Sequence, residues 1–190
     1  MKDIAKPREN PQIVRTNERG VIRGVVYGER IANAVVWLKP IGKTTLQAPP
    51  IETVRLTVER GEYRPHVLLA QKGSVLELRT VDERADYQAS GAATFSDILT
   101  RGTQRKYPVS TPGLIEVRSQ LHPQRSPAYI WVLDSVPGTL TGTDGRFQLP
   151  PVSAGEYELV LWHETQHPTP VRLVLSANEG VEVRWTLPKP

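Results

Sequence analysis

Turn-forming residues interrupt this chain so often that only short secondary-structure elements fit between them. Its 190 residues include 17 prolines and 14 glycines. Several of the intervening runs alternate apolar and polar side chains as half-buried strands do, at residues 54–58, 74–79, 114–118 and 181–187. Long helices do not fit this pattern. It predicts an all-β chain of about nine or ten strands, folded as a Greek-key β-sandwich.

Further strand-like segments are rich in β-branched and aromatic residues, at 21–27, 34–38, 67–69, 128–133, 146–149, 157–162 and 171–175. The first two surround a turn and predict either a hairpin or a crossing from one strand to the next. Two regions lack the strand pattern. Residues 1–18 are polar and predict a flexible N-terminal arm. Residues 82–107 are rich in Ala, Gly, Ser and Thr and predict a long loop, with at most a short helical turn at 95–99.

Charge and cysteine content exclude several function classes. The formal charge is +4, but the 24 basic and 20 acidic residues are interspersed along the chain, which argues against nucleic acid as a partner. The absence of cysteine excludes disulfides, iron–sulfur clusters, thiolate zinc sites and thiolate-ligated copper, because each of them needs sulfur. We therefore expect no cofactor of these kinds.

The sequence says little about the compartment. No stretch approaches the roughly 20 apolar residues that span a bilayer, so no membrane span is predicted. The polar opening lacks the apolar run of a signal peptide. We expect a periplasmic or secreted protein if a leader has been removed, whereas a natural start at Met1 would favour the cytoplasm.

Several phrases occur together in one order along the chain. They are Tyr-Arg-Pro-His before an apolar run at 63–69, Val-Leu-Glu-Leu at 75–78, Ser-Gln-Leu-His-Pro at 119–123 and Ala-Tyr-Ile-Trp-Val at 128–132. In this order they resemble the cupredoxin-like proteins related to methylamine utilization. Two later phrases, Thr-Asp-Gly-Arg-Phe at 143–147 and Gly-Glu-Tyr at 155–157, fit the same order and also resemble the carboxypeptidase regulatory-like (transthyretin-like) sandwich.

The resemblances cover roughly residues 20–187 and imply a fusion of two sandwiches. A cupredoxin-like β-sandwich would occupy residues 50–134, and a regulatory-like β-sandwich would combine 19–49 with 135–190, behind the arm of residues 1–18. If the two share one core, the strands within 20–39 pair with those within 143–187. A separate C-terminal sandwich of about 50 residues would bury too little surface.

The cupredoxin resemblance also implies where a copper site would lie. Copper-binding relatives carry a first His, a Cys, a second His and a Met, at positions that correspond here to Asp86, Ser119, His122 and Arg125. Serine cannot replace the short thiolate bond of type 1 copper. A permanent cation at Arg125 would repel a metal and could pair with Asp86 instead. These four positions are therefore predicted to form a vestigial copper site without electron transfer.

Two other binding functions remain open. His122, His66 and Asp86 are weak candidates for residual copper or zinc binding through imidazole and carboxylate. Four tryptophans could stack on sugar rings and make a carbohydrate-binding module if they were exposed together, although aromatic residues within strands usually belong to the core. The tryptophans are Trp37, Trp131, Trp162 and Trp185.

Enzyme chemistry has weak support in the sequence. Ser119 near His122, and His163 next to Glu164, are scattered candidates with no catalytic motif around them. We therefore predict a non-catalytic binding or structural module of the cell envelope, with an unidentified protein or glycan as its partner, since loops on rigid scaffolds carry recognition.

Overall fold

The computed structural model describes residues 11–28 and 31–187, and within these ranges the protein is built from strands with no helix, as predicted. The strands, in chain order, are β1 Gln12–Thr16, β2 Ile22–Tyr27, β3 Val35–Pro40, β4 Thr53–Glu59, β5 Glu62–Arg64, β6 Val67–Gln71, β7 Ser74–Thr80, β8 Arg84–Gly91, β9 Phe95–Thr100, β10 Gln104–Val109, β11 Gly113–Arg118, β12 Ala128–Leu133, β13 Gly138–Leu140, β14 Arg146–Gln148, β15 Gly155–Trp162, β16 Val171–Leu175 and β17 Gly180–Thr186. No helix in these ranges is long and apolar enough to cross a membrane.

The chain divides into two compact units. One combines the described residues up to Leu46 with those from Pro137 onward, and we call it the terminal sandwich. The other is the continuous stretch Gln47–Val136, which we call the central sandwich. Each unit has a hydrophobic core of its own.

The terminal sandwich is made of two four-stranded sheets, ordered β1-β17-β2-β14 and β13-β3-β15-β16. The early strands pair with the late strands, because β2 lies between β17 and β14 and β3 lies between β13 and β15. This pairing was expected if the two sandwiches shared one core, but it occurs here in a unit with a core of its own. The two sheets enclose a core that includes Leu38, Tyr157 and Trp185. The Tyr157 hydroxyl donates a hydrogen bond to the Ser153 carbonyl oxygen at 2.7 Å, a tyrosine corner typical of Greek-key sandwiches.

The central sandwich packs a four-stranded sheet, β10-β7-β4-β5, on a five-stranded sheet, β6-β12-β11-β8-β9. Each sheet contains one parallel pair, β4 with β7 and β12 with β6. The apolar side chains that alternate along these strands meet between the sheets, including Leu56, Leu78, Tyr87 and Ile130. The expected strands at 54–58, 67–69, 74–79, 114–118 and 128–133 are therefore confirmed.

The loop predicted for residues 82–107 is wrong. Most of that stretch is strand, in β8, β9 and β10. Along β8 the inward positions are Ala85, Tyr87 and Ala89, all in the core. The small and polar residues of this stretch do not show the apolar alternation typical of a strand. The strand is recognised only from its pairing with β9 and β11.

Two smaller expectations at the N-terminus need correction or completion. Residues 12–16 of the expected flexible arm form β1, which pairs antiparallel with β17 along Gln12–Thr16. Residues 1–10 of that arm lie outside the described residues. The alternatives at residues 21–38 resolve to a crossing, because β2 and β3 belong to different sheets.

The tryptophans do not form an exposed stacking platform. Trp37, Trp162 and Trp185 are buried, with 6%, 5% and 1% of their surface exposed, and Trp131 is half-buried. The expectation that aromatic residues within strands belong to the interior is confirmed for the three buried rings, and the sugar-binding hypothesis loses the surface on which it depended.

Candidate functional site

A buried carboxylate in β8 organises the loop that follows β11. Asp86 is only 5% exposed. One of its oxygens accepts a hydrogen bond from the Ser119 hydroxyl at 2.5 Å, and the other accepts from the backbone N–H groups of Gln120 at 2.6 Å and Leu121 at 3.1 Å. Ser119 Oγ in turn accepts the N–H of His122 at 2.8 Å, which makes a tight Ser turn. The loop is therefore fixed by one side chain from the neighbouring strand.

The hydrogen bonds decide the charge state of Asp86. Burial by itself raises the pKa of this carboxyl, but the hydrogen bonds donated by Ser119, Leu121 and Gln120 outweigh burial and hold the pKa below its ordinary value. Asp86 is therefore ionised at neutral pH, and its charge is stabilised by hydrogen-bond donors of the fold rather than by a cation.

Tyr63, in β5 of the four-stranded sheet, links that sheet to Asp86 in the five-stranded sheet. Its hydroxyl donates to the backbone oxygen of Asp86 at 2.7 Å, and its ring lies 5.5 Å from that of Tyr87, centroid to centroid. Burial raises the pKa of Tyr63, with smaller contributions from Asp86 and Tyr87, while Arg125 opposes them. The phenol therefore stays protonated and remains a donor.

A second carboxylate shapes the adjacent hairpin. Residues Arg60 and Gly61 connect β4 to β5 with positive φ angles of 53° and 77°, the backbone of a two-residue type I′ turn. Asp82 accepts both of their N–H groups, at 2.8 Å from Arg60 and 2.7 Å from Gly61. Asp82 therefore fixes the conformation of this turn.

Arg125 lies over that glycine. A methyl group placed on Gly61 would lie 3.3–3.4 Å from Nη2, Cζ and Nε of Arg125. These nearly equal distances mean that the planar guanidinium group rests face-on against the turn. The backbone N–H of Arg125 donates to the His122 carbonyl oxygen at 3.0 Å, so the loop fixed by Asp86 also positions this arginine.

The guanidinium group of Arg125 has an unsatisfied donor. Its Nη1 atom is buried and has no hydrogen-bond partner among the described residues. By contrast, other arginines of the central sandwich lie close to carboxylates: Arg55 is 2.7 Å from Glu77 and Arg64 is 2.8 Å from Glu62. Buried donors without a hydrogen-bond partner are rare in folded proteins. Nη1 of Arg125 is therefore an unusual feature of this region.

The arginine borders a cleft of about 460 Å³. The cleft lies entirely within the central sandwich, and its walls are Gly61, Glu62, Tyr63, His66, Gln124, Arg125 and Ser126. The half-buried His66 ring sets its edge against the ring of Tyr129, with centroids 5.5 Å apart. Apart from Tyr63, the side chains that line the cleft are polar or charged.

The structure separates the four predicted positions into two groups. Asp86 and Ser119 are in direct contact, and His122 joins them through its backbone while its side chain is exposed. The pairing of Arg125 with Asp86 that the sequence allowed is not seen in the described ranges, where Asp86 accepts from Ser119, Gln120 and Leu121. The carboxylate of Asp86 is already occupied by Ser119 and two backbone donors, which removes the reason for that pairing.

Metal-ligating residues do not gather here. Within residues 11–28 and 31–187, no group of three or more His, Cys, Asp or Glu side chains could hold a metal ion. The weak candidates occupy different surroundings: His66 lines the cleft, Asp86 accepts hydrogen bonds from the 119–121 loop, and His122 faces solvent.

Ser119 is not arranged as a nucleophile. Its hydroxyl donates to Asp86 and accepts a backbone N–H, so both functions of the oxygen serve the loop. In the Ser119–His122 pair that the sequence offered, an activated serine would donate to the imidazole, whereas here the hydroxyl donates to Asp86 and the His122 side chain is exposed.

Sequence reasoning missed three residues that build this region: Gly61, Asp82 and Tyr63. A usable signal existed for the turn, because Arg60-Gly61 separates two short β segments as hairpin turn residues do. Nothing in the sequence signalled that Asp82 would accept the N–H groups of a turn more than 20 residues earlier, because that contact depends on the parallel pairing of β4 with β7.

No family model matches the chain, and no curated protein matches it. Among solved structures it is similar to the copper-containing nitrite reductase of Thermus scotoductus, with 19% identity and a TM-score of 0.41 over 50% of this chain and 25% of the reductase. The chain thus spans about a quarter of that protein.

Two smaller proteins are also similar. A purple cupredoxin from Nitrosopumilus maritimus has 15% identity and a TM-score of 0.36, over 41% of this chain and 97% of its own. Amicyanin from Paracoccus versutus has 11% identity and a TM-score of 0.37, over 50% of this chain and 96% of its own. TM-scores this low support no functional argument, and the all-β sandwich assignment rests on the sheets and cores described above.

Proposed function

We propose that the protein is a non-catalytic binding module of cupredoxin-like ancestry, in which the copper-ligand positions have become a hydrogen-bonded polar cluster. The observation that supports the proposal is the saturation of Asp86. Its carboxylate oxygens accept three hydrogen bonds, from Ser119 Oγ and from the N–H groups of Gln120 and Leu121. A carboxylate occupied in this way holds a loop in place and has little capacity left for a metal.

The other positions support the same conclusion. Type 1 copper needs a thiolate in a near-trigonal plane with two imidazoles, whereas Ser119 offers a hydroxyl already engaged with Asp86. The cation of Arg125 belongs to the cleft beside Gly61. Electron transfer through copper is therefore not expected, and neither is residual binding of copper or zinc.

We extend the proposal to the domains and the compartment. The boundaries 50–134 for a cupredoxin-like sandwich, and 19–49 with 135–190 for a regulatory-like one, remain proposals. The turn at 143–147 leads into β14 and the phrase at 155–157 opens β15, which supports the regulatory-like assignment. A module of this kind belongs in the cell envelope, in the periplasm or outside the cell, where its loops would contact a protein or a glycan.

Metal titration tests the proposal. The purified protein would be titrated calorimetrically with copper(II), copper(I) and zinc, beside a His122→Ala variant as the matched control. We expect no binding by either protein. A sub-micromolar affinity in the wild type that disappears in His122→Ala would overturn the proposal and restore a metal-carrier or electron-transfer function.

A further inference from the structure

The cleft beside Gly61 combines a concave polar surface with a cation that the fold does not neutralise. Arg125 is half-buried, Nη1 has no partner among the described residues, and the cleft volume of about 460 Å³ lies within the range of small-molecule sites, about 300–1,000 Å³. We propose that this cleft binds the carboxylate of an acidic sugar, with Arg125 as the anchoring residue.

The orientation of the guanidinium group supports an anionic ligand. Gly61 lies beneath the flat face of the group, where an added methyl carbon would be 3.3–3.4 Å from three of its atoms, and the N–H donors of arginine all lie in its plane. An acceptor in the cleft would therefore approach the group edge-on, and because Nη1 is buried it would meet the other N–H groups of the guanidinium first. A carboxylate presents two coplanar oxygens that match this fork, which is why arginine and carboxylate pair bidentately.

The carboxylates nearest the cleft have partners other than Arg125, and one of them, Asp82, accepts the N–H groups of Arg60 and Gly61. Glu62 also lines the cleft, but its carboxylate is exposed and lies 2.8 Å from Nη2 of Arg64. Asp86 is close enough to influence Tyr63, yet its oxygens are occupied by the loop at 119–121. The positive charge of Arg125 is thus the charge in the cleft that lacks a counterion.

The remaining walls favour a sugar acid over a peptide terminus. Gln124 and Ser126 supply an amide and a hydroxyl. These groups match the hydroxyls of a sugar ring, since each can donate or accept a hydrogen bond. The C-terminal side chain of a peptide would call for an apolar wall, and the cleft offers only Tyr63.

The positioning of Arg125 also explains the two carboxylates nearby. Asp82 holds the turn that places Gly61 under the guanidinium group. Asp86 holds the loop whose last turn, from the His122 carbonyl to the Arg125 N–H, sets the arginine in place. Both are positioning residues, and neither is expected to touch the ligand.

NMR titration of the full chain tests the inference. Sodium D-glucuronate would be added to isotope-labelled protein up to about 20 mM, which detects dissociation constants in the millimolar range. D-glucose is the neutral control, and N-acetyl-dialanine with a free carboxylate represents a peptide terminus. We expect glucuronate to shift the amide signals of Gly61 and Ser126, and glucose to leave them unchanged.

Two variants test whether glucuronate binds at Arg125. Arg125→Gln should weaken glucuronate binding at least about tenfold. Arg105→Gln, which removes the same charge from a residue 3.4 Å from Asp97 and outside the cleft, should bind as the wild type does. An unchanged amide spectrum away from the cleft would verify that both variants fold.

Four outcomes would overturn the inference. They are no shifts with glucuronate, equal shifts with glucose, binding of the peptide carboxylate alone, and equal losses in both variants. The inference rests on the proposed binding function, but the two fail separately. Metal binding would refute the dismantled copper site, whereas only the glucuronate titration bears on the ligand of the cleft.

Discussion

The central sandwich contains two polar regions that differ in whether their buried polar atoms have hydrogen-bond partners. Around Asp86 every oxygen of the carboxylate meets a donor of the protein, from Ser119, Gln120 and Leu121. In the neighbouring cleft, Arg125 keeps a buried donor without a partner among the described residues. Satisfied buried polar groups stabilise a fold, whereas unsatisfied ones destabilise it and are retained for some other purpose. The comparison assigns Asp86 to the architecture and is the basis for proposing that Arg125 binds a ligand.

Removal of the Asp86 carboxylate should have the largest effect. In Asp86→Ala, the Ser119 hydroxyl and the N–H groups of Gln120 and Leu121 lose their acceptor, so we expect the free energy of unfolding to fall by about 3 kcal/mol or more. Urea unfolding followed by tryptophan fluorescence measures it. A loss below about 1 kcal/mol would mean that the cluster is not structural.

Truncation of Ser119 should cost less. Ser119→Ala removes one donor to Asp86 and the acceptor of the His122 N–H, while Gln120 and Leu121 still reach the carboxylate. We expect a loss of about 1–2 kcal/mol in unfolding free energy. The same unfolding experiment applies, and a loss as large as that of Asp86→Ala would show that the two backbone contacts contribute little.

A methyl group on Gly61 should damage the cleft more than the fold. Gly61 has a φ of 77°, where a β-carbon costs about 1–2 kcal/mol, and the methyl group would press on the guanidinium group of Arg125. We expect Gly61→Ala to lose that much stability and also to weaken glucuronate binding. Gly102→Ala is a suitable control, because Gly102 has a comparable φ of 81° and a methyl group there would meet no atom within 4 Å. This control should keep full binding.

Acid should reveal the charge state of Asp86, with the smallest of these effects. Its pKa is lowered in the folded protein, so its contribution to stability is complete above the ordinary value near 3.9 and is lost as the pH falls through the folded value. As the pH falls below about 4, the wild type should therefore lose more stability than Asp86→Asn. Parallel slopes in acid unfolding curves would contradict a lowered pKa.

The sequence carried enough information for the fold class and most of the longer strands, but not for the strands in residues 84–109 or for the cleft. Alternating segments such as 54–58 and 74–79 identified β4 and β7, because their apolar side chains are large enough to mark one face. The strand β8 was not predicted, because its inward residues include two alanines. The burial of these alanines depends on neighbouring strands that only the folded sheet supplies.

Of the four predicted positions, Asp86 and Ser119 are in contact. Asp86 and Arg125, which could have paired, do not. Sequence spacing could not show that backbone N–H groups at 120 and 121 would take up the carboxylate first. The role of Gly61 was hidden for the same reason. Its partner Arg125 lies 64 positions further along the chain and meets it only through the packing of one sheet on the other.

Unfolding free energies of two variants, measured side by side without ligand, test the contrast between Asp86 and Arg125 most directly. Asp86→Asn replaces an acceptor by an amide that also donates, and we expect it to lose about 1–3 kcal/mol. Arg125→Met keeps an apolar stem and removes the unpartnered cation, so its stability should stay within about 0.5 kcal/mol of the wild type or exceed it. A large loss in Arg125→Met beside an unchanged Asp86→Asn would reverse the assignment and contradict the account.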